Sequence, residues 1–268
     1  MTAQPILEAR SVSKVYRRRT HLRRTGSDVR AVDAVTFALA SGERVGLVGE
    51  SGCGKTTLAK LLIGLLPQTS GQVFLEGVPR THLRGVGLRH ARRKVQLVFQ
   101  DPLNSLNPLM TVEETLSEPL RIHKLATGAS LRRRVVELLK DVQLPADYCR
   151  RLPREMSGGE RQRVEIARAL TTNPDGLICD EPIASLDLSI GVQILALLRR
   201  LCDERRMALL FISHDLRAVA SLCERIVVMR RGRIVDAGPT KPLLAQPVHP
   251  YTRLLLSSAR LDLDAPPM

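Results

Sequence analysis

The chain has 268 residues, 44% of them hydrophobic, and 41 Lys and Arg stand against 27 Asp and Glu for a formal charge of +14. That length and apolar content allow a globular core, while 3% aromatics and no tryptophan argue against a stacking groove for nucleic acid. Apolar runs fall short of the ~18 residues needed to cross a bilayer, and MTAQPILEAR at the N-terminus lacks a signal-peptide stretch, so a cytosolic protein is expected.

The excess charge concentrates in 17–30, 89–94 and 131–140. It points to an acidic partner, a nucleotide or an anionic membrane face among them, and these runs read as solvated basic faces. Five cysteines, Cys53, Cys149, Cys179, Cys202 and Cys223, are scattered without a C-x-x-C pair or a histidine at zinc spacing. Reduced thiols and no zinc are expected.

In chain order, ILEARSVSKVY (6–16) and AVDAVTFALA (31–40) read as strands of a small antiparallel subsheet, separated by a basic, turn-rich insert. SGERVGLVG (41–49) is a turn and a buried strand, feeding a glycine loop and a helix over 55–66. Strands follow at 70–77 and 94–100. From Thr111 to about Arg154 the period becomes that of amphipathic helices with no strand between them, a helical insertion. Strand and helix patterns resume through 158–172, 176–182, 190–206, 208–215 and 224–238. The alternation predicts an α/β fold, a mainly parallel sheet with helices on both faces.

The loop carries the first chemistry. Gly49, Glu50, Ser51, Gly52, Cys53, Gly54, Lys55 and Thr56, followed by Thr57, fill G-x-x-x-x-G-K-[ST]. Glycines let the backbone curl until N–H groups face phosphate oxygens, aided by the positive end of the next helix. Lys55 would sit against the β and γ phosphates and the Thr56 hydroxyl would ligate Mg²⁺. In LICDEP, Asp180 is expected at the end of a neighbouring strand, holding the magnesium shell, with Glu181 polarising the attacking water. Ser157, Gly158 and Gly159 open another helix and make a second anion-binding N-terminus. Two such sites in one chain imply a partner.

On MSGGERQR, together with the phosphate loop and LICDEP, the chain resembles the ATP-binding cassette family along nearly its whole length. The resemblance implies a P-loop cassette with an antiparallel β subdomain. A single domain would span 1–268: a core in 1–100 and 155–240, a helical insertion in 101–154 and a short C-terminal extension in 241–268. Two cassettes would meet head to tail, each ATP lying between one phosphate loop and the other chain's Ser157, Gly158, Gly159 and Glu160. By the same resemblance Tyr16 stacks on adenine, Gln100 reaches the magnesium and attacking water, and His214 contacts the γ-phosphate. Asp187 lies on the loop that crosses to the partner, and as a residue opening a helix it also suits an N-cap. Two positions depart from the family pattern: Glu160, where glutamine is commoner and which adds negative charge near the partner's nucleotide, and Gly176, where a bulky apolar residue usually opens the strand.

QDPLNSLNPLMTV (100–112), HPYTRLLLSS (249–258) and the insert at 23–37 resemble segments of oligopeptide, dipeptide and nickel importer ATPases, the insert pointing to the second of their two ATPase subunits. The resemblance implies an ATPase at the cytoplasmic face of the inner membrane, paired with a sister cassette, docked on two permeases and served by an extracytoplasmic binding protein. Peptides, nickel or a related metal chelate would be the cargo, ATP and Mg²⁺ the cofactors. The tail after the HPY stretch carries no cysteine, so no iron–sulfur cluster is expected. Two further classes share the cassette: a subunit of a phosphonate-cleaving complex, and a DNA-repair or ribosome-associated protein, which usually carries two cassettes or long insertions absent from this sequence.

Overall fold

The computed structural model describes residues 4–17, 28–99 and 105–258. Two sheets organise them. The first is antiparallel: β1 (Pro5–Tyr16) lies between β2 (Val29–Ala40) and β4 (Ser70–Leu75), and β5 (Val78–Pro79) extends the edge beyond β4. The second has the order β10–β9–β3–β8–β7–β6, with β3 (Arg44–Val48), β6 (Val95–Val98), β7 (Gly176–Asp180), β8 (Ala208–Ile212) and β9 (Arg225–Arg230) parallel and β10 (Arg233–Pro239) antiparallel at the edge.

The parallel strands are apolar throughout because both faces are covered, and successive side chains point to opposite faces. Leu210 and Ile212 of β8, Val227 and Met229 of β9 and Ile178 of β7 pack with the antiparallel sheet and α1 (Lys55–Leu62). Their sequence neighbours Leu209, Phe211, Ile226, Val228, Leu177 and Cys179 face the other way, into a core shared with α5 (Gly158–Leu170), α6 (Leu188–Arg205) and α7 (Leu216–Leu222). That second core continues without a break into α3 (Val112–Ile122) and α4 (Gly128–Asp141) through Leu116, Leu120, Val135, Leu138 and Leu139. A capping box starts α3: Thr111 Oγ1 accepts from the Glu114 N–H at 3.2 Å and Glu114 returns the bond to the Thr111 N–H at 2.7 Å.

Some elements differ from the sequence expectation. The helix after the glycine loop stops at Leu62, and Gly64 then takes the left-handed conformation (φ 72°). Residues 224–238 form a hairpin, β9 and β10, turned at Arg231–Gly232, both with positive φ. The basic run 89–94 belongs to α2 (Gly85–Lys94), whose only buried residue is Ala91, so no apolar stripe announces it. Two short helices, α8 (Thr240–Ala245) and α9 (Pro250–Ser258), close the described chain. Among the described residues no helix is long and apolar enough to cross a membrane.

Gly176 has a packing reason. A Cβ there would lie 2.6 Å from Ile6 Cδ1, because β1 lays its buried Ile6 on the start of β7. Gly176→Val should cost about 1–3 kcal/mol through overpacking, seen as a lower urea midpoint. The penalty should shrink when the same substitution is made in an Ile6→Ala background; an unchanged penalty would mean that Ile6 is not its source.

Candidate functional site

β3 ends at Val48, and the chain turns through 49–54 into α1. The loop lies so close to the strands beside it that a Cβ at Gly49 would sit 2.1 Å from the Met229 carbonyl oxygen, and one at Gly54 2.1 Å from that of Ala31. Its far side is fixed by the Gly232 N–H, which donates to the Cys53 carbonyl at 2.8 Å. Ser51 and Gly52 are exposed at the tip, Cys53 is buried beneath it, and Thr56 and Thr57 are half-buried in the first turn of α1. Lys55 is 5% exposed; its Nζ donates to the carbonyls of Gly49 (2.7 Å) and Glu50 (3.1 Å). The ammonium is thus curled over its own loop by bonds to neutral carbonyls, which a phosphate can replace with stronger charge-assisted ones.

Asp180, expected on a strand neighbouring β3, ends β7 one strand further away, because β8 runs between them. Thr56 faces it across the gap, its hydroxyl near enough to favour the charged form of the Asp180 carboxylate. Asp180 is buried, and its Oδ1 has no hydrogen-bond partner among the described residues. Burial raises its pKa above the ordinary value, and the nearby Thr56 hydroxyl opposes that rise. An orphaned buried carboxylate oxygen beside a hydroxyl is an all-oxygen donor pair that fits Mg²⁺, an ion that usually takes only one or two protein carboxylates and completes its shell with water and substrate phosphates. Among the described residues there is no group of three or more His, Cys, Asp or Glu that could hold a metal ion by themselves.

Glu181 follows in the left-handed region (φ 49°), uncommon for a side chain with a Cβ and the kind of strain that gathers at functional sites. Its N–H donates to the Ile212 carbonyl at 2.9 Å, tying it to the end of β8, and its Oε2 lies 3.2 Å from Nδ1 of His214. The carboxyl ends of β3, β8 and β7 therefore bring together the loop, His214, Asp180 and Glu181. Gln100 lies outside the described residues. The chain on each side of it is held by α5: Glu165 Oε1 accepts from the Phe99 N–H at 3.0 Å, and Arg168 donates to the Ser105 carbonyl at 2.7 Å. Tyr16 ends β1 with 41% exposure, its ring centroid 5.4 Å from the Lys14 ammonium.

The second cluster forms where α5 meets α6. Ser157 caps α5, its hydroxyl accepting from the Glu160 N–H at 3.3 Å. Gly159 allows the two helix starts to touch, since a Cβ there would lie 2.5 Å from Ile190 Cγ2, and a Cβ on Gly158 would lie 3.2 Å from Leu186 Cδ2. Asp187 caps α6, accepting from the Ile190 N–H (2.9 Å) and the Ser189 hydroxyl (2.8 Å). Glu160, expected to add a charge toward a partner's nucleotide, has both carboxylate oxygens bonded within its own chain: Oε2 accepts from the Ser157 N–H at 2.7 Å and Oε1 from the Tyr148 hydroxyl. Among the described residues, no hydrogen bond or ion pair joins this cluster to the loop at 49–57.

Tyr148, Glu165, Arg168 and Tyr251 were not singled out from sequence. Glu165 and Arg168 stand three apart on one helix face, a spacing that could have flagged them. Tyr251, whose hydroxyl meets the Glu50 N–H at 3.1 Å across 201 residues, had no local signal. The five cysteines are buried and unpaired, and burial pushes the Cys202 thiol up to about 12.

A sequence profile described as "ABC transporter" matches residues 32–184. The chain is 43% identical over 258 residues, 96% of its length and 80% of the relative's, to a Brucella ovis protein provisionally named a peptide import ATP-binding protein. It is 44% identical over 257 residues, 95% of its length and 78% of the relative's, to the oligopeptide transport ATP-binding protein AppF of Bacillus subtilis. Its fold matches the ATP-binding cassette MJ0796, described as dimeric, in a post-hydrolysis state and bound to ADP and phosphate, with a TM-score of 0.77 and 30% identity over 88% of this chain and 99% of that one.

The Tyr148 hydrogen bond holds the Glu160 carboxyl below its ordinary value of 4.5. A lowered acid contributes stability above its unfolded pKa and loses it as pH falls through the folded one. Glu160→Gln should therefore lower Tm near neutral pH by on the order of 2 °C, with the deficit closing below about pH 4.5. Melting curves across that range check it; a deficit that persists unchanged in acid would mean the ionised carboxylate is not what stabilises this turn.

Proposed function

Because the chain belongs to the ABC transporter family and is one of its ATP-hydrolysing cassettes, we propose that it powers import of peptides as one of two ATP-binding subunits docked on a pair of membrane permeases. The peptide cargo is supported by the names of the two sequence relatives, which speak for neither nickel or metal chelates nor a phosphonate-cleaving complex. The observation that carries the two-subunit arrangement is the presence in one chain of two helix-start clusters, at 49–57 and at Ser157–Asp187, with no hydrogen bond between them among the described residues. Leu188, 72% exposed beside Asp187, gives that second cluster an apolar edge suited to a partner.

In this reading the loop at 49–57 binds the β and γ phosphates while Lys55 turns from the Gly49 and Glu50 carbonyls to the phosphate oxygens. Thr56, Asp180 and Gln100 would hold Mg²⁺, which when bound neutralises charge on those oxygens. Glu181 orients the attacking water, and His214, 3.2 Å from it, steadies its carboxylate and reaches the γ-phosphate. Tyr16 stacks on adenine. Ser157, Gly158 and Gly159 offer their helix start to the partner's nucleotide, and Asp187 crosses with them. Catalysis is then mostly positioning and charge neutralisation. One ATPase domain fills the chain; its segment 101–154, with the glutamine loop, grips the permeases. The partner is a sister cassette, an extracytoplasmic binding protein delivers the peptide, and the subunit works at the cytoplasmic face of the inner membrane.

Two measurements test this. Glu181→Gln should reduce MgATP hydrolysis by at least about 10²-fold while nucleotide still binds; retained turnover would remove Glu181 from its role. Pull-down of the tagged chain from gently solubilised membranes should recover a sister cassette and two permeases. Recovery of soluble lyase subunits or ribosomes without a permease would overturn the import function.

A further inference from the structure

We propose that Tyr251 is a positioning residue for the phosphate loop, its hydroxyl setting the affinity for nucleotide by holding the Glu50 peptide. This rests on the loop at 49–57 being the nucleotide site. The Tyr251 side chain is 2% exposed, among the largest that the fold buries completely. Its hydroxyl accepts the Glu50 N–H at 3.1 Å, and its ring lies under the Arg230 guanidinium, 4.5 Å from the centroid. Arg230 follows Met229, whose carbonyl presses on Gly49. The helix is anchored to the same hairpin, since the Thr252 hydroxyl donates to Asp236 Oδ2 on β10 at 2.7 Å.

The peptide unit between Gly49 and Glu50 is thus gripped at both ends. Its carbonyl accepts from Lys55 and its N–H donates to Tyr251. When a phosphate draws Lys55 away, the carbonyl end is released and the tyrosine hydroxyl becomes the remaining side-chain hold on that peptide. The Glu50 N–H is already committed to the phenol, so its work is to fix the plane of the first loop peptide, and with it the direction in which the following peptides can turn. Removing the hydroxyl lets the peptide rotate and adds an ordering cost to each binding event.

The test is titration of the full-length chain with a fluorescent ATP analogue in the presence of Mg²⁺, together with melting curves. Tyr251→Phe keeps the ring beneath Arg230 and loses only the bond to Glu50. It should weaken binding about 3- to 10-fold, the range for one hydrogen bond, with kcat at saturating ATP changed less than about twofold. Thr252→Val loosens the helix anchor without touching the loop and should leave affinity unchanged, even where its Tm falls as far as that of Tyr251→Phe. Wild-type affinity in Tyr251→Phe, or an equal loss in Thr252→Val, would overturn the proposal. Lys55→Ala separates the two claims: if it binds normally, the loop is not the site and the positioning role falls with it.

Discussion

The arrangement depends on one steric constraint. The phosphate loop is pressed so tightly between the end of β9 and the β2 strand that neither Gly49 nor Gly54 has room for a side chain, each Cβ falling 2.1 Å from a carbonyl oxygen. Real Cβ atoms do not approach oxygen so closely, so no other residue fits without moving the strands. That closeness brings the loop to the carboxyl ends of β3, β8 and β7, where the Thr56 hydroxyl faces the buried Asp180 carboxylate across a one-strand gap.

A second constraint of the same kind shapes the far cluster. Gly159 lets the starts of α5 and α6 touch, so the Ser157 and Asp187 caps lie side by side. The same helix α5 uses Glu165 and Arg168 to hold the chain on both sides of Gln100, and its Glu160 is tied to Tyr148 in the turn that follows α4. Through these bonds α5 joins the helical segment, the chain flanking Gln100 and the helix start at Ser157.

Much of this was legible in the sequence where local pattern and chemistry coincide. The glycine loop, the apolar runs ending at Asp180 and His214, and the caps at Ser157 and Asp187 each announce themselves within a few residues. What stayed hidden depends on distant partners. Strand order put β8 between β3 and β7, which no local window contains. Gly176 is explained by Ile6, Glu160 by Tyr148 and the loop's first peptide by Tyr251. The α2 helix escaped because it buries one residue and shows no stripe, and 224–238 reads as one stretch, without its turn at Arg231–Gly232, because that turn is only two residues long.

The central claim is that each chain carries two halves of different ATP sites, and it is tested most directly by hydrolysis per chain against concentration. The account predicts negligible turnover at dilution, rising as a second cassette is added, whether another copy of this chain or the sister subunit recovered with it. A full rate per chain that stays constant down to nanomolar concentration, with no second cassette present, would contradict it.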